Sequence, residues 1–188
     1  MSRRRLILLD RDGVVNQESE AFVKNVGEFH PIPGSYEAIA RLSSAGHAIA
    51  IVSNQSGLAR GLIEPEALQL IHARLRSGVE ALGGRIDRIE FCPHLPDAAC
   101  PCRKPRPALL ARAASALDHT PSTSVLIGDR ATDLAAAREF GCEGILVRTG
   151  HGRTTESELP DRPRPLVFDD LASATDAILM RNRGATEA

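Results

Sequence analysis

Short, unbroken apolar runs alternate with helix-periodic segments along this chain, and several of the runs stop abruptly at polar residues. Leu6-Ile7-Leu8-Leu9 ends at Asp10-Arg11-Asp12-Gly13, Ala48-Ile49-Ala50-Ile51-Val52 at Ser53-Asn54-Gln55-Ser56-Gly57, and Val125-Leu126-Ile127 at Gly128-Asp129. Runs this short with no polar alternation read as strands buried on both faces. Between them, Gly34 to Ala45 sets Ala38, Leu42 and Ala45 on one helical face and closes at Gly46. Glu64 to Leu82 spaces Leu68, Ile71, Leu75, Val79 and Leu82 by three or four, with Pro65 in its first turn and Gly83-Gly84 after it. Arg85 to Phe91 alternates as a further strand. Leu110, Ala113 and Leu117 mark a helix, and Ala131 to Phe140 another that stops at Gly141. Ile145-Leu146-Val147 is a strand, followed by a Pro-rich connection from Pro160 to Pro165, a short strand near Val167 and a terminal helix through Met180. Strand and helix in alternation predict an α/β, Rossmann-like parallel sheet with helices on both faces. No insert large enough for a cap domain interrupts it. One domain is expected over residues 1–180, with a flexible tail at 181–188.

Composition limits the ligand. The chain of 188 residues carries 23 Lys+Arg against 24 Asp+Glu, a net charge of −1, so no broad electrostatic hold on nucleic acid is expected. One Tyr, five Phe and no Trp leave little for base stacking. No apolar stretch is long enough to span a membrane, and the Leu6–Leu9 run behind Arg3-Arg4-Arg5 meets Asp10 too early for a signal-peptide core. The expectation is a cytoplasmic monomer that holds a small anionic partner locally, with no nucleic acid and no membrane.

In sheets of this kind ligands sit beyond the carboxyl ends of the strands. Asp10 and Asp12, two apart after a buried strand, would share one side of an extended chain. Two carboxylates so close call for a cation with oxygen preference, most simply Mg²⁺, and Asp129 at a neighbouring strand end offers a third oxygen. Turn and helix-capping carboxylates are the competing reading of each acid alone. With a cation present, one carboxylate can attack phosphorus while the other protonates the leaving oxygen and then activates water. Ser53 and Lys104, a hydroxyl and an ammonium from two other loops, would complete a phosphoryl cradle; singly they read as a turn serine and a surface lysine. Asn54, Gln55 and Ser56 are candidate substrate-binding groups beside them.

The second constellation is Cys92-Pro93-His94 with Cys100-Pro101-Cys102. Three thiolates and an imidazole in an eleven-residue loop match a closed, structural Cys₃His zinc site, against a disulfide or free thiols as alternatives. A zinc ion there would shape the loop at 92–102 and present Arg103 and Lys104 at fixed geometry. Cys142 reads as a small core residue.

Taken together, D-R-D-G-V-V, S-N-Q, R-K-P and G-D-R-A-T-D resemble, in that order, the four motifs of the haloacid dehalogenase superfamily of phosphatases. The resemblance implies that Asp10 is the nucleophile that becomes an aspartyl-phosphate and Asp12 the general acid/base. It makes Ser53 and Lys104 phosphoryl stabilisers, and gives Mg²⁺ to Asp10, Asp129 and Asp12, the last through its backbone carbonyl. Asp133 would support the site. C-P-H-L-P-D-A-A-C-P-C-R-K-P with N-Q-S-G-L-A-R-G is similar to the histidinol-phosphate and heptose-bisphosphate branch, whose members carry a zinc loop and lack a large cap. That branch implies a Mg²⁺-dependent sugar-phosphate phosphatase of surface-polysaccharide synthesis, acting at the 7-phosphate of a heptose 1,7-bisphosphate. Histidinol phosphate is the alternative substrate, and a non-catalytic, zinc-stabilised binding protein the alternative class. It also implies substrate contact by the loop Ser19-Glu20-Ala21-Phe22, and a receiver for the second phosphate at Arg103, helped by Arg130 or Arg60.

Overall fold

In the computed structural model, which describes residues 4–160 and 164–184, six parallel strands form one sheet in the order β3-β2-β1-β4-β5-β6. The strands are β1 (Leu6–Leu9), β2 (Ala48–Asn54), β3 (Arg88–Cys92), β4 (Ser124–Gly128), β5 (Glu143–Val147) and β6 (Leu166–Phe168). The helices are α1 (Ser35–Ser44), α2 (Pro65–Glu80), α3 (Ala108–Ala116), α4 (Ala131–Phe140), α5 (Gly152–Glu158) and α6 (Leu171–Gly184). β1 lies between β2 and β4, with Leu9 level with Ile51 on one side and Ile127 on the other.

Every side chain of β1 is buried, because both faces of the sheet are covered. Ile7 and Leu9 join Ile49, Ile51, Val125 and Ile127 under α1, α2 and α6, while Leu6 and Leu8 join Ala50, Val52 and Leu126 under α3 and α4. Full burial of each such aliphatic side chain stabilises the fold by roughly 1.5–3 kcal/mol. This two-sided cover is why the runs show no alternation in sequence.

The connections from β1 to α1 and from β2 to α2 hold no domain-sized insert; the first contains only a one-turn helix at Val26–Glu28. Sequence reasoning missed α5, a seven-residue, largely polar helix without an apolar stripe. α6 runs on to Gly184, past the point at Arg181 where a tail was expected; the rest of that tail and part of the Pro160 to Pro165 connection lie outside the described residues. Among the described residues no helix is long and apolar enough to cross a membrane.

The sheet order reverses direction between β1 and β4, so the chain leaving β1 goes to α1 on one face and the chain leaving β4 to α4 on the other, which opens a crevice, the usual ligand position in such sheets.

Candidate active site

That crevice widens into a cleft of about 940 Å³. Its floor is made by residues that leave β1, β2 and β4 at one end: Asp10 and Asp12, Ser53, and the first turn of α4 beyond Asp129. Lys104 enters from the segment between β3 and α3, and its side chain is only 1% exposed. The ammonium lies 3.0 Å from Asp10 Oδ2 and 2.6 Å from Asp133 Oδ1, and it donates to the Val52 carbonyl at 2.8 Å. An ammonium in so dry a place is held charged by its carboxylates. Although burial works against its charge, Asp10 and Asp133 raise the Lys104 pKa to about 12.

One oxygen each from Asp10, Asp129 and Asp133 falls within 4.8 Å of the others, all three residues being buried. One ammonium does not balance three carboxylates. Burial pushes Asp10 up to about 7, Lys104 pulling it back, and burial together with the charge of Asp10 pushes Asp129 up to about 8. Asp129 Oδ2 accepts the His151 N–H at 2.8 Å, but Oδ1 is buried without a hydrogen-bond partner. An unpartnered oxygen inside an acid cluster of this kind fits a divalent cation with oxygen preference.

The loop around Asp129 is packed too closely for side chains. Gly13 and Gly150 have φ of +81° and +56°, and a Cβ on either would stand 2.2 or 2.3 Å from Asp129 Oδ2. Thr149 Oγ1 donates to the Gly13 carbonyl at 2.6 Å and Thr155 Oγ1 to the Asp129 carbonyl at 2.8 Å. The stretch from Thr149 to Thr155 thus braces the acid cluster. Sequence reasoning had no role for it, since its hydroxyls act on backbone more than twenty residues away.

Asp12 stands apart from the cluster. Arg11 Nη2 reaches both its oxygens, at 2.8 and 2.9 Å, Arg11 Nε reaches Oδ1 at 3.2 Å, Asn16 Nδ2 donates to Oδ1 at 2.9 Å, and Gln55 Nε2 to Oδ2 at 2.8 Å. Burial alone would raise its pKa, but the Arg11 charge and these hydrogen bonds hold it below the ordinary carboxylate value. Gln55 Nε2 is also 2.7 Å from the buried Ser53 Oγ. Arg11 and Asn16 were not among the expected site residues; the cation between two acids in D-R-D was the available signal.

Of the expected substrate contacts, Ser19, Glu20, Phe22, Asn54, Gln55, Ser56, Arg103 and Arg130 line the cleft. Ala21 and Arg60 are exposed and do not. The structure gives the Asn54 amide another partner: it accepts the Lys104 N–H at 3.0 Å and donates to the Lys104 carbonyl at 3.1 Å, pinning that lysine to the end of β2. Phe22 has φ +62°, a strained value for an aromatic residue, and its ring edge lies over Gly57. Arg130 is paired with Glu18 at 3.0 Å, and His151 lies 3.7 Å from the same carboxylate.

The sulfurs of Cys92, Cys100 and Cys102 and the Nδ1 of His94 gather at separations of 3.2 to 3.6 Å. Those sulfur distances exceed a disulfide bond of about 2.05 Å, and all four cysteines of the chain are free. Donors about 2.0–2.3 Å from one tetrahedral centre lie roughly 3.3–3.8 Å apart, close to these separations, so the cluster fits a zinc ion. Arg103 Nη1 donates to the His94 carbonyl at 3.3 Å and Arg106 Nη1 to the Cys100 carbonyl, which ties the loop to two arginines lining the cleft. Cys142 packs against the second core, and burial raises its thiol to about 11.

Residues 101–174 match the HAD-hydrolase-like family. A D-glycero-beta-D-manno-heptose-1,7-bisphosphate 7-phosphatase of Pseudomonas aeruginosa is 46% identical over 177 residues, 94% of this chain and 98% of that protein. The crystal structure of the D,D-heptose 1,7-bisphosphate phosphatase of Bordetella bronchiseptica, complexed with magnesium and phosphate, superposes with a TM-score of 0.89 at 43% identity, covering 94% of this chain and 99% of that one. The Burkholderia thailandensis phosphatase of the same description gives 0.73 at 32% identity, covering 94% and 99%.

Proposed function

The chain belongs to the haloacid dehalogenase-like hydrolases, in the branch of the heptose-bisphosphate phosphatases, and from that premise we propose that it removes the 7-phosphate of D-glycero-D-manno-heptose 1,7-bisphosphate through an aspartyl-phosphate on Asp10. It is a phosphoric monoester hydrolase. The observation that carries the mechanism is the buried ammonium of Lys104 bridging Asp10 and Asp133, which leaves an acid cluster beneath the cleft floor with the Asp129 Oδ1 unpartnered.

An Asp10 oxygen attacks phosphorus, the bond from phosphorus to the sugar oxygen breaks, and Asp12, ionised in the free protein and protonated once the phosphate binds beside it, supplies the proton that the departing oxygen needs. Asp12, now a carboxylate, takes a proton from water. The water oxygen attacks phosphorus, and the bond to Asp10 breaks to return both residues to their starting state. Lys104 and Ser53 stabilise charge on the transferring group, with Lys104 held by Asn54 and Ser53 by Gln55. A Mg²⁺ held by the Asp10 and Asp129 carboxylates and the Asp12 carbonyl would offset the charge of phosphate meeting the acid cluster. Asp133 supports from behind, its Oδ2 accepting the Arg130 N–H at 3.0 Å.

The zinc reading rests on the Cys₃His donor set and its spacing. A zinc ion there would hold the 92–102 loop and, through the His94 carbonyl, place Arg103 at the cleft, where a second phosphate needs a cation.

Phosphate release from the α and β heptose 1,7-bisphosphates and from histidinol phosphate, with and without Mg²⁺, tests this reading. The expected result is Mg²⁺-dependent turnover with kcat/KM highest for a heptose bisphosphate, and loss of about 10⁴-fold or more in Asp10→Asn. A clear preference for histidinol phosphate overturns the substrate, and turnover retained in Asp10→Asn overturns the mechanism.

A further inference from the structure

We propose that Arg11 is a positioning residue for Asp12: its guanidinium, forked onto both carboxylate oxygens, fixes the orientation from which Asp12 hands a proton to the leaving oxygen and takes one from water. The proposal rests on the reading of Asp10 and Asp12 above and extends it to a residue outside the phosphoryl cradle.

The Arg11 side chain is 1% exposed, and Asp12 is its one anionic partner among the described residues. A guanidinium gives up water at large cost, so its place inside the protein demands a structural or functional return. Its Nη1 points into the interior with no hydrogen-bond partner, as does the nearby His72 Nε2. Burial, with help from the Arg11 charge, lowers the His72 pKa to about 4, so this neighbour is a neutral imidazole that does not compete with Asp12 for charge.

The contacts define a direction. Arg11 occupies both Asp12 oxygens from one side, Asn16 takes Oδ1, and Gln55 takes Oδ2 while touching Ser53 Oγ. Asp12 is thereby tied by side chains to the cradle that would hold phosphate. Asn16 is itself anchored, bridging to Asp12 and to Pro31 through backbone pairs and donating to the Gln17 carbonyl at 2.8 Å. A carboxylate on a turn after β1 would otherwise sample several rotamers, and proton transfer requires hydrogen-bond geometry with the reacting oxygen. Removal of the fork is expected to disorder Asp12 while leaving Asp10, Lys104 and Asp129, which the Arg11 guanidinium does not pair with, in place; the Arg11 backbone N–H that donates to Asp10 Oδ1 at 2.7 Å is kept in the variant.

Rapid-quench kinetics on Arg11→Met with two substrates tests this. The heptose bisphosphate leaves as an alkoxide that needs a proton, whereas p-nitrophenyl phosphate leaves as a phenolate that does not. Phosphoenzyme formation from the sugar is expected to slow about 100-fold, and from the nitrophenyl ester less than about threefold. Hydrolysis of the phosphoenzyme should slow with either, so the nitrophenyl ester gives a burst that the wild type lacks. Arg11→Met should add no further loss in an Asp12→Asn background. A purely structural role would slow formation from both substrates alike; that result, or unchanged rates, overturns the proposal. Should Arg11→Met not fold, Arg11→Lys, which keeps the cation without the fork, is expected to show the same split between substrates, and its absence is equally decisive. Asp10→Asn separates the two readings: turnover there defeats the mechanism, while a silent Asp10→Asn beside equal slowing in the Arg11 variant defeats only the role of Arg11.

Discussion

The carboxylates beneath the cleft floor and the sulfurs of the 92–102 loop are both clusters of metal-binding groups, yet they are built in opposite ways. The acid cluster sits at the ends of β1 and β4, on a sheet covered on both faces, and its charges are gathered by a fold that apolar burial already holds together. The sulfur loop has little apolar mass: only Cys92 and Cys102 are buried in the core, and its donors are its own contacts. One region has a scaffold and carries strain in its charges. The other has relaxed donors and would take its scaffold from the ion.

This contrast can be broken at the acid cluster first, where the largest effect is expected. Lys104→Met removes the ammonium between Asp10 and Asp133 and leaves buried carboxylates uncompensated, which costs about 3–5 kcal/mol of stability. It should also lower kcat by roughly 10²–10³-fold with KM changing less, since the group acts on charge that develops during phosphoryl transfer. Urea denaturation and steady-state kinetics check both; a variant as active and stable as wild type would refute the pairing as a working element.

At the sulfur loop the effect should be smaller and of another kind. Chelation, or Cys92→Ala, is expected to release zinc measurable by metal analysis, lower Tm, and raise KM for the bisphosphate on the order of tenfold while kcat holds to within a few-fold. The link runs from the His94 carbonyl to Arg103. A fall in kcat with KM unchanged would mean that the loop serves the chemistry and not the second phosphate.

The smallest effect separates the two through pH. Asp10 and Asp129, raised to about 7 and about 8, keep protons in the metal-free fold that the unfolded chain loses near the ordinary carboxylate value of about 4. Stability is therefore full below that lower value and declines as pH rises through 7 to 8. A cation offsets that loss, so the rise in Tm on adding Mg²⁺ should be small at pH 5 and reach a few degrees at pH 8. An equal rise at both pH values would contradict charge strain in the cluster.

Much of this layout is legible along the chain because of where the polar residues fall. Asp10, Ser53 and Asp129 each follow a run of apolar residues that had to be a buried strand, and the cysteines are close enough in sequence for their spacing to speak. What stayed hidden depends on contacts across the chain. The Asn54 amide looks free until the Lys104 backbone, fifty residues later, folds against it. Glu18 takes Arg130 from 112 residues away. α5 lacks an apolar face, and Thr155 matters for a hydroxyl on the Asp129 carbonyl, which no periodicity reveals. Arg11 has no role in the reading of the sequence, yet its side chain is among the most buried of the described residues.

The central claim is that phosphorus becomes bonded to Asp10 during turnover. Acid quench of the Mg²⁺-loaded protein with substrate labelled at the 7-phosphate, followed by peptide mapping, tests it most directly. Label on the peptide containing Asp10, lost on chase and absent in Asp10→Asn, is the expected result; release of phosphate with no protein-bound label at any time in the first turnover would contradict it.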